Sequence, residues 1–241
     1  MGSCTSKEVA FTKPGKTMDL LEEVENAKIE WPRGSSTYFI PRDSLKNIVN
    51  KSNVKTELRR LFPDLTTQEL RRYIDIIFNP SRMATGVFIT VLGTKKESIL
   101  DILDEGVADS DLALERQQSP TYTGNYNPPF VLFCSKGHYD HCRDRSHVSC
   151  KITSVRAMSN WSRKQIEDFD AIQWRVKAPI FEKLPQGEIQ HFNLHSNVVM
   201  PYVEDGEEQQ ERGGYSYVWA VRIHPAHQSV YKRGGRKVRI T

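Results

Sequence analysis

Residues 213–228 read GGYSYVWAVRIHPAHQ. After the glycine pair, Tyr215, Tyr217, Trp219, Val221 and Ile223 recur at every second position. That spacing sets one side of an extended chain against a core, so the stretch is expected to be a turn feeding a β-strand. Just upstream, residues 188–203 (EIQHFNLHSNVVMPYV) alternate weakly, and an acidic loop from Glu204 to Glu211 separates the two runs. Paired, 188–203 and 215–223 make a small antiparallel sheet.

Before Pro179 the apolar residues change to helical spacing. A short helix is expected between Met18 and Lys28, one capped by Ser44 with Leu45, Ile48 and Val49, and one over Val54–Phe62 ended by Pro63. Three hydroxyl residues stand three positions before a Glu or Gln, the pattern in which side chains and orphan amides satisfy one another. They are Thr66 with Glu69, Thr94 with Glu97, and Ser162 with Gln165. The first opens a face of Leu70, Tyr73, Ile74 and Ile77. The second opens one of Ile99, Leu100, Ile102 and Leu103 that Gly106 should stop. The third carries Ile166, Phe169, Ile172 and Gln173. Gly86–Leu92 (GVFITVL) is continuous, apolar and β-branched, which reads as a buried strand or extended core segment. The fold class is therefore α+β, with a helix-rich N-terminal two thirds and a small antiparallel sheet at the C-terminal end. Three regions follow: a flexible N-terminal segment 1–37, an α+β module 38–230, and a basic tail 231–241 expected to be mobile.

The chain has 241 residues, 34 cations against 30 anions, and 38% apolar residues. That length suffices for one large or two small domains. A net charge of 34 − 30 = +4 is too mild to argue for nucleic acid without a concentrated patch, so none is expected as a partner. The first twenty residues lack the apolar core of a secretory signal, and no run approaches the ~18 apolar residues of a membrane-spanning helix. The expected location is cytoplasmic, where the thiols of Cys4, Cys134, Cys142 and Cys150 stay reduced.

The amino terminus, MGSCTSK, exposes Gly2 once Met1 is removed and places Ser6 where a myristoylation signal wants a hydroxyl. One acyl chain binds a bilayer only marginally; Cys4 offers a second, palmitoyl site, and Lys7, Lys13 and Lys16 add electrostatic attraction. Gly2 and Cys4 are thus candidate lipidation sites and a membrane surface a candidate partner. Between 134 and 150, Cys134, His138, His141, Cys142, His147 and Cys150 are the residue types that zinc takes, although no CxxC or standard histidine pair is present. A solvated loop is the plainer reading, and no cofactor is assigned beyond a candidate zinc. At the glycine-rich end, Gly213, Gly214 and Val218 occupy the position of a nucleotide-binding loop, but aligned on Val218 only Gly213 of three required glycines is present. Glu211, Glu208 and Glu207 would repel phosphate there, so a hairpin turn is the simpler account. Trp161, Trp174 and Trp219 read as core anchors.

Several stretches in order, YFIPRDSL from Tyr38, FITVLGTKKESILDILDEGVADSDLAL from Phe88, IEDFDAIQWRVKAPIF from Ile166, HFNLHSNVVMPY from His191 and the closing GGYSYVWAVRIHPAHQ, resemble the region preceding the kinase domain in filamentous-fungal protein-kinase-domain-containing proteins. The resemblance covers roughly 38–230. It implies a stand-alone or truncated pre-kinase module, because the kinase lysine, catalytic loop and metal-binding aspartate have no counterpart here. The expected function is non-catalytic: a cytosolic, membrane-anchored module that contacts an unidentified protein, with the sheet's unpaired edge as one surface. The alternatives are a kinase N-lobe remnant that holds ATP without catalysis and a small zinc-supported binding domain.

Overall fold

The computed structural model describes residues 19–32, 34–116, 130–132, 153–183, 185, 194–204, 219–229 and 238–240. Helix α1 (Leu20–Asn26) starts at Asp19, whose carboxylate accepts from the Leu21 N–H at 3.2 Å. Strands β1 (Ile29–Glu30) and β2 (Tyr38–Phe39) form a hairpin with Ile29 opposite Phe39. Helix α2 (Arg42–Ile48) begins directly after Pro41, so Ser44 lies inside it rather than capping it. Proline's fixed φ with an extended ψ launches the helix without a side-chain cap.

Helix α3 (Lys51–Leu61) begins three residues before the expected Val54, because the Asn50 side chain accepts from the Ser52 and Asn53 N–H groups at 3.0 Å. Helix α4 (Thr67–Ile77) carries the complete reciprocal cap of Thr66 and Glu69. Leu70, Tyr73 and Ile77 are its buried residues.

Helix α5 (Thr85–Lys95) corrects the expectation of a strand at Gly86–Leu92. All seven of those residues are buried. A helix enclosed on every side shows no amphipathic period, so its sequence cannot be told from a buried strand by pattern. Its hydroxyls turn inward: Thr90 donates to the Gly86 carbonyl at 2.7 Å and Thr94 to the Thr90 carbonyl at 2.6 Å. Thr94 therefore caps nothing. Helix α6 (Ile99–Asp104) follows Ser98 with no side-chain cap, and Gly106, at φ +75°, ends it as expected.

Helix α7 (Arg163–Val176) has the expected Ser162–Gln165 cap. It lies against α5, and a Cβ placed on Gly93 would sit 3.1 Å from Ile172 Cδ1. Gly93 thereby lets the two helices approach closely. The main core gathers residues from α1 and α3 to α7, among them Val24, Leu58, Ile77, Phe88, Ile102 and Phe169. Leu20 and Val24 of α1 belong to it, so residues from the 1–37 segment pack within the helical body.

Strands β3 (Glu115–Arg116), β4 (Phe130–Leu132) and β5 (Thr153–Ser154) make a small antiparallel sheet. At the C-terminal end, β6 (Tyr202–Glu204), β7 (Trp219–Ile223) and β8 (Val238–Ile240) make another, with β7 in the middle. Tyr202 faces Ile223, while Trp219 and Val221 face Ile240 and Val238. The α+β class and a terminal antiparallel sheet are as expected, although of the described residues 194–203 only Tyr202 and Val203 are strand, and further short strands lie between Ile29 and Ser154. The pairing of β8 also changes two expectations. Residues 238–240, placed in a mobile tail, are strand, and β7 has a neighbour on each side instead of an unpaired edge. A second cluster of Phe39, Ala113, Trp174, Ala178 and Val199 joins the hairpin and the end of α7 to the sheet side. Among the described residues no helix is long and apolar enough to cross a membrane.

Candidate functional site

The closing block bends sharply after β7. Pro225–His227 is a 3-10 turn with proline at its first position, and the His224 ring caps it, Nδ1 accepting from the Ala226 N–H at 3.2 Å. The turn drives His227 into the interior, where it is 2% exposed. Its Nδ1 lies 3.0 Å from the Pro179 carbonyl and its Nε2 accepts from the Arg42 N–H at 3.0 Å. A carbonyl only accepts, so the proton is on Nδ1 and the ring is neutral. One side chain thus ties the start of α2, the segment after α7, and the C-terminal turn.

Backbone bonds reinforce this junction. Phe181 donates to the His227 carbonyl at 2.8 Å, Ser229 donates to Phe181 at 2.9 Å, and His224 donates to Pro201 at 2.8 Å. The Phe39 ring meets His227 edge-on at 5.5 Å and His224 at 6.0 Å. Burial holds both imidazoles below the ordinary histidine range. The Pro179 carbonyl partly opposes this at His227, and the Asp43 charge partly opposes it at both rings.

Other polar side chains, from buried Gln173 to exposed Glu105, also close the fold. Asp109 caps α5 from 22 residues away in sequence: one oxygen accepts from the Val87 N–H at 2.9 Å and the other from the Thr85 hydroxyl at 3.0 Å. Burial raises its carboxyl above the usual carboxylate range, although those bonds pull the other way. Gln173, fully buried, donates to the Leu114 carbonyl at 3.0 Å and accepts from the Leu114 N–H at 2.7 Å, replacing a strand partner. Glu105 accepts from the Arg156 and Ala157 N–H groups at 2.9 and 2.7 Å. Trp161 donates to Ser98 at 3.2 Å, and Trp174 stacks on His195 with ring centres 4.7 Å apart. The two tryptophans occupy different core clusters.

On the outside, α3 presents Lys51, Lys55 and Arg59 to solvent at positions i, i+4 and i+8, a row that flanks its buried Val54 and Leu58. Lys51 lies over the Phe78 ring at 6.0 Å, and Lys55 and Arg59 make no ion pair among the described residues. The neighbouring Arg60 reaches Glu57 at 2.5 Å and Asp19 at 3.7 Å.

The sequence-derived candidates fall elsewhere. Gly2 and Cys4, the group Cys134, His138, His141, Cys142, His147 and Cys150, and Gly213, Gly214 and Val218 all lie outside the described residues, as does the Trp219 side chain. Among the described residues no three His, Cys, Asp or Glu side chains are grouped to hold a metal. His227 and Asp109 escaped sequence reading because their partners are remote. The HPAH spacing did carry a legible signal, a proline-led turn between two histidines. A scan of family models, a search of curated proteins and a search of solved structures give no match to this chain.

Proposed function

We propose that this chain is a non-catalytic interaction module, related to the region preceding a fungal kinase domain and held at the cytoplasmic face of a membrane by acylation at Gly2 and Cys4. The histidine junction is the observation that supports it. The most specific block of the sequence, 213–228, ends by locking three segments together, with both ring nitrogens of His227 engaged and the ring buried. Groups used this way position a scaffold and are withdrawn from proton transfer, which requires reach to a reacting atom. Asp109 and Gln173 are likewise engaged by the fold, and exposed Glu105 is occupied by two backbone N–H groups. The module then acts by presenting a rigid surface to a protein partner.

Two measurements test this. Thermal melts with and without millimolar Mg-ATP should coincide. A nucleotide at 100 times its dissociation constant would stabilise the fold by ~2.7 kcal/mol, and such a shift, or release of phosphate by the purified protein, would replace the assignment with the ATP-binding one. Co-expressed with a myristoyl transferase, the wild type should fractionate with membranes and Gly2→Ala should not. Identical fractionation would remove the lipid anchor.

A further inference from the structure

Residues 42–72, spanning α2, α3 and the first half of α4, hold eight cations (Arg42, Lys46, Lys51, Lys55, Arg59, Arg60, Arg71, Arg72) and four anions (Asp43, Glu57, Asp64, Glu69), a net of 8 − 4 = +4. That equals the charge of the whole chain, so the remainder is balanced and the excess is concentrated here. Within it, Lys51, Lys55 and Arg59 form an exposed ridge on one side of α3, extending about 12 Å at the helical rise. The one acid on that helix is already engaged, Glu57 being held by Arg60.

Position adds to charge. Asp19, the residue from which α1 starts, pairs with Arg60 at the C-terminal end of α3. The segment carrying Gly2 and Cys4 therefore joins the folded body near the C-terminal end of the helix that bears this ridge. Helix α1 itself bears Glu22 and Glu23 and adds no attraction for an anionic surface, so within the folded body the ridge supplies what Lys7, Lys13 and Lys16 begin. A single myristoyl chain binds reversibly and needs a partner signal for stable attachment.

We propose that the Lys51–Lys55–Arg59 face of α3 docks on an anionic phospholipid bilayer, acting as the electrostatic partner of the acylated amino terminus. The anchor rests on the acylation assigned above; the ridge stands on its own charge and exposure. A cation near an anionic leaflet strengthens binding about fivefold, and the attraction falls off over a Debye length of ~8 Å at physiological salt.

The test is co-sedimentation of the full chain, myristoylated and unmodified, with vesicles of phosphatidylcholine alone or mixed with phosphatidylserine. Both forms should prefer the anionic vesicles, the myristoylated one binding more tightly, and Lys55→Glu/Arg59→Glu should lose at least about 25-fold on those vesicles. Both positions are exposed, so the thermal midpoint of the double variant should match wild type. Equal binding of wild type and double variant overturns the ridge, whatever myristoylation does. If the ridge dependence persists while myristoylation changes nothing, the acyl anchor fails and the ridge stands. A short DNA duplex that displaces the protein from vesicles at matched phosphate concentration and physiological salt would overturn lipid as the occupant.

Discussion

His227 shows how one side chain is committed by its surroundings. Neutral, it donates from Nδ1 to Pro179 and accepts at Nε2 from Arg42; protonated, it would turn a second N–H toward the Arg42 N–H. Burial keeps its folded pKa below the unfolded value of about 6.5. The unfolded chain then binds the proton first as pH falls, so stability is complete above about pH 6.5 and is lost toward the lower folded value. His224, lowered for the same reason, titrates in the same direction, with Asp43 opposing both. Urea midpoints measured from pH 8 to 5 should therefore fall below about pH 6.5 in wild type. His227→Gln, which retains a donor and an acceptor but does not titrate, should flatten part of that fall. His227→Ala should cost about 3 kcal/mol at pH 8, combining unpaired partners with a cavity. An unchanged pH profile in His227→Gln would show that the junction does not control acid stability.

At the scale of elements, α5 is the centre of the helical body and the place where local pattern misleads. Its caps and neighbours are tertiary: Asp109 closes its first turn, and α7 crosses where Gly93 has no side chain. Gly93→Leu should push α5 from α7 and cost about 2 kcal/mol in chemical denaturation, the usual price of overfilling a packed interface. Ile172→Ala removes the atom that the new side chain would meet. Combined, the two substitutions should cost less than the sum of the single changes. Strict additivity would mean that the helices do not meet at this point. The capping boxes of α4 and α7 were legible because both members lie within four residues of each other. Asn50 and Asp109 differ for the same physical reason: the first is a local cap visible beside its helix, the second arrives from a separate loop.

For the molecule as a whole, the first helix and the last strand are structural parts. Leu20 and Val24 are 5% and 1% exposed, inside the main core. A chain beginning at Lys28 should be less stable than one beginning at Asp19 by about 4 kcal/mol, the scale of burying two aliphatic side chains. Equal thermal midpoints would place α1 outside the cooperative unit.

From the residues alone came the α+β class, a strand within 215–223, two reciprocal helix caps, the glycine stop after α6 and the apolar faces of α4 and α7. Each depends on neighbours within one or two turns, where spacing along the chain is also spacing in space. The helical state of GVFITVL, the neutral tautomer of His227, the Asp109 cap and the enclosure of β7 by β8 were decided only in three dimensions. In each case the deciding partner lies far away along the chain, and a buried position is defined by what surrounds it on every side.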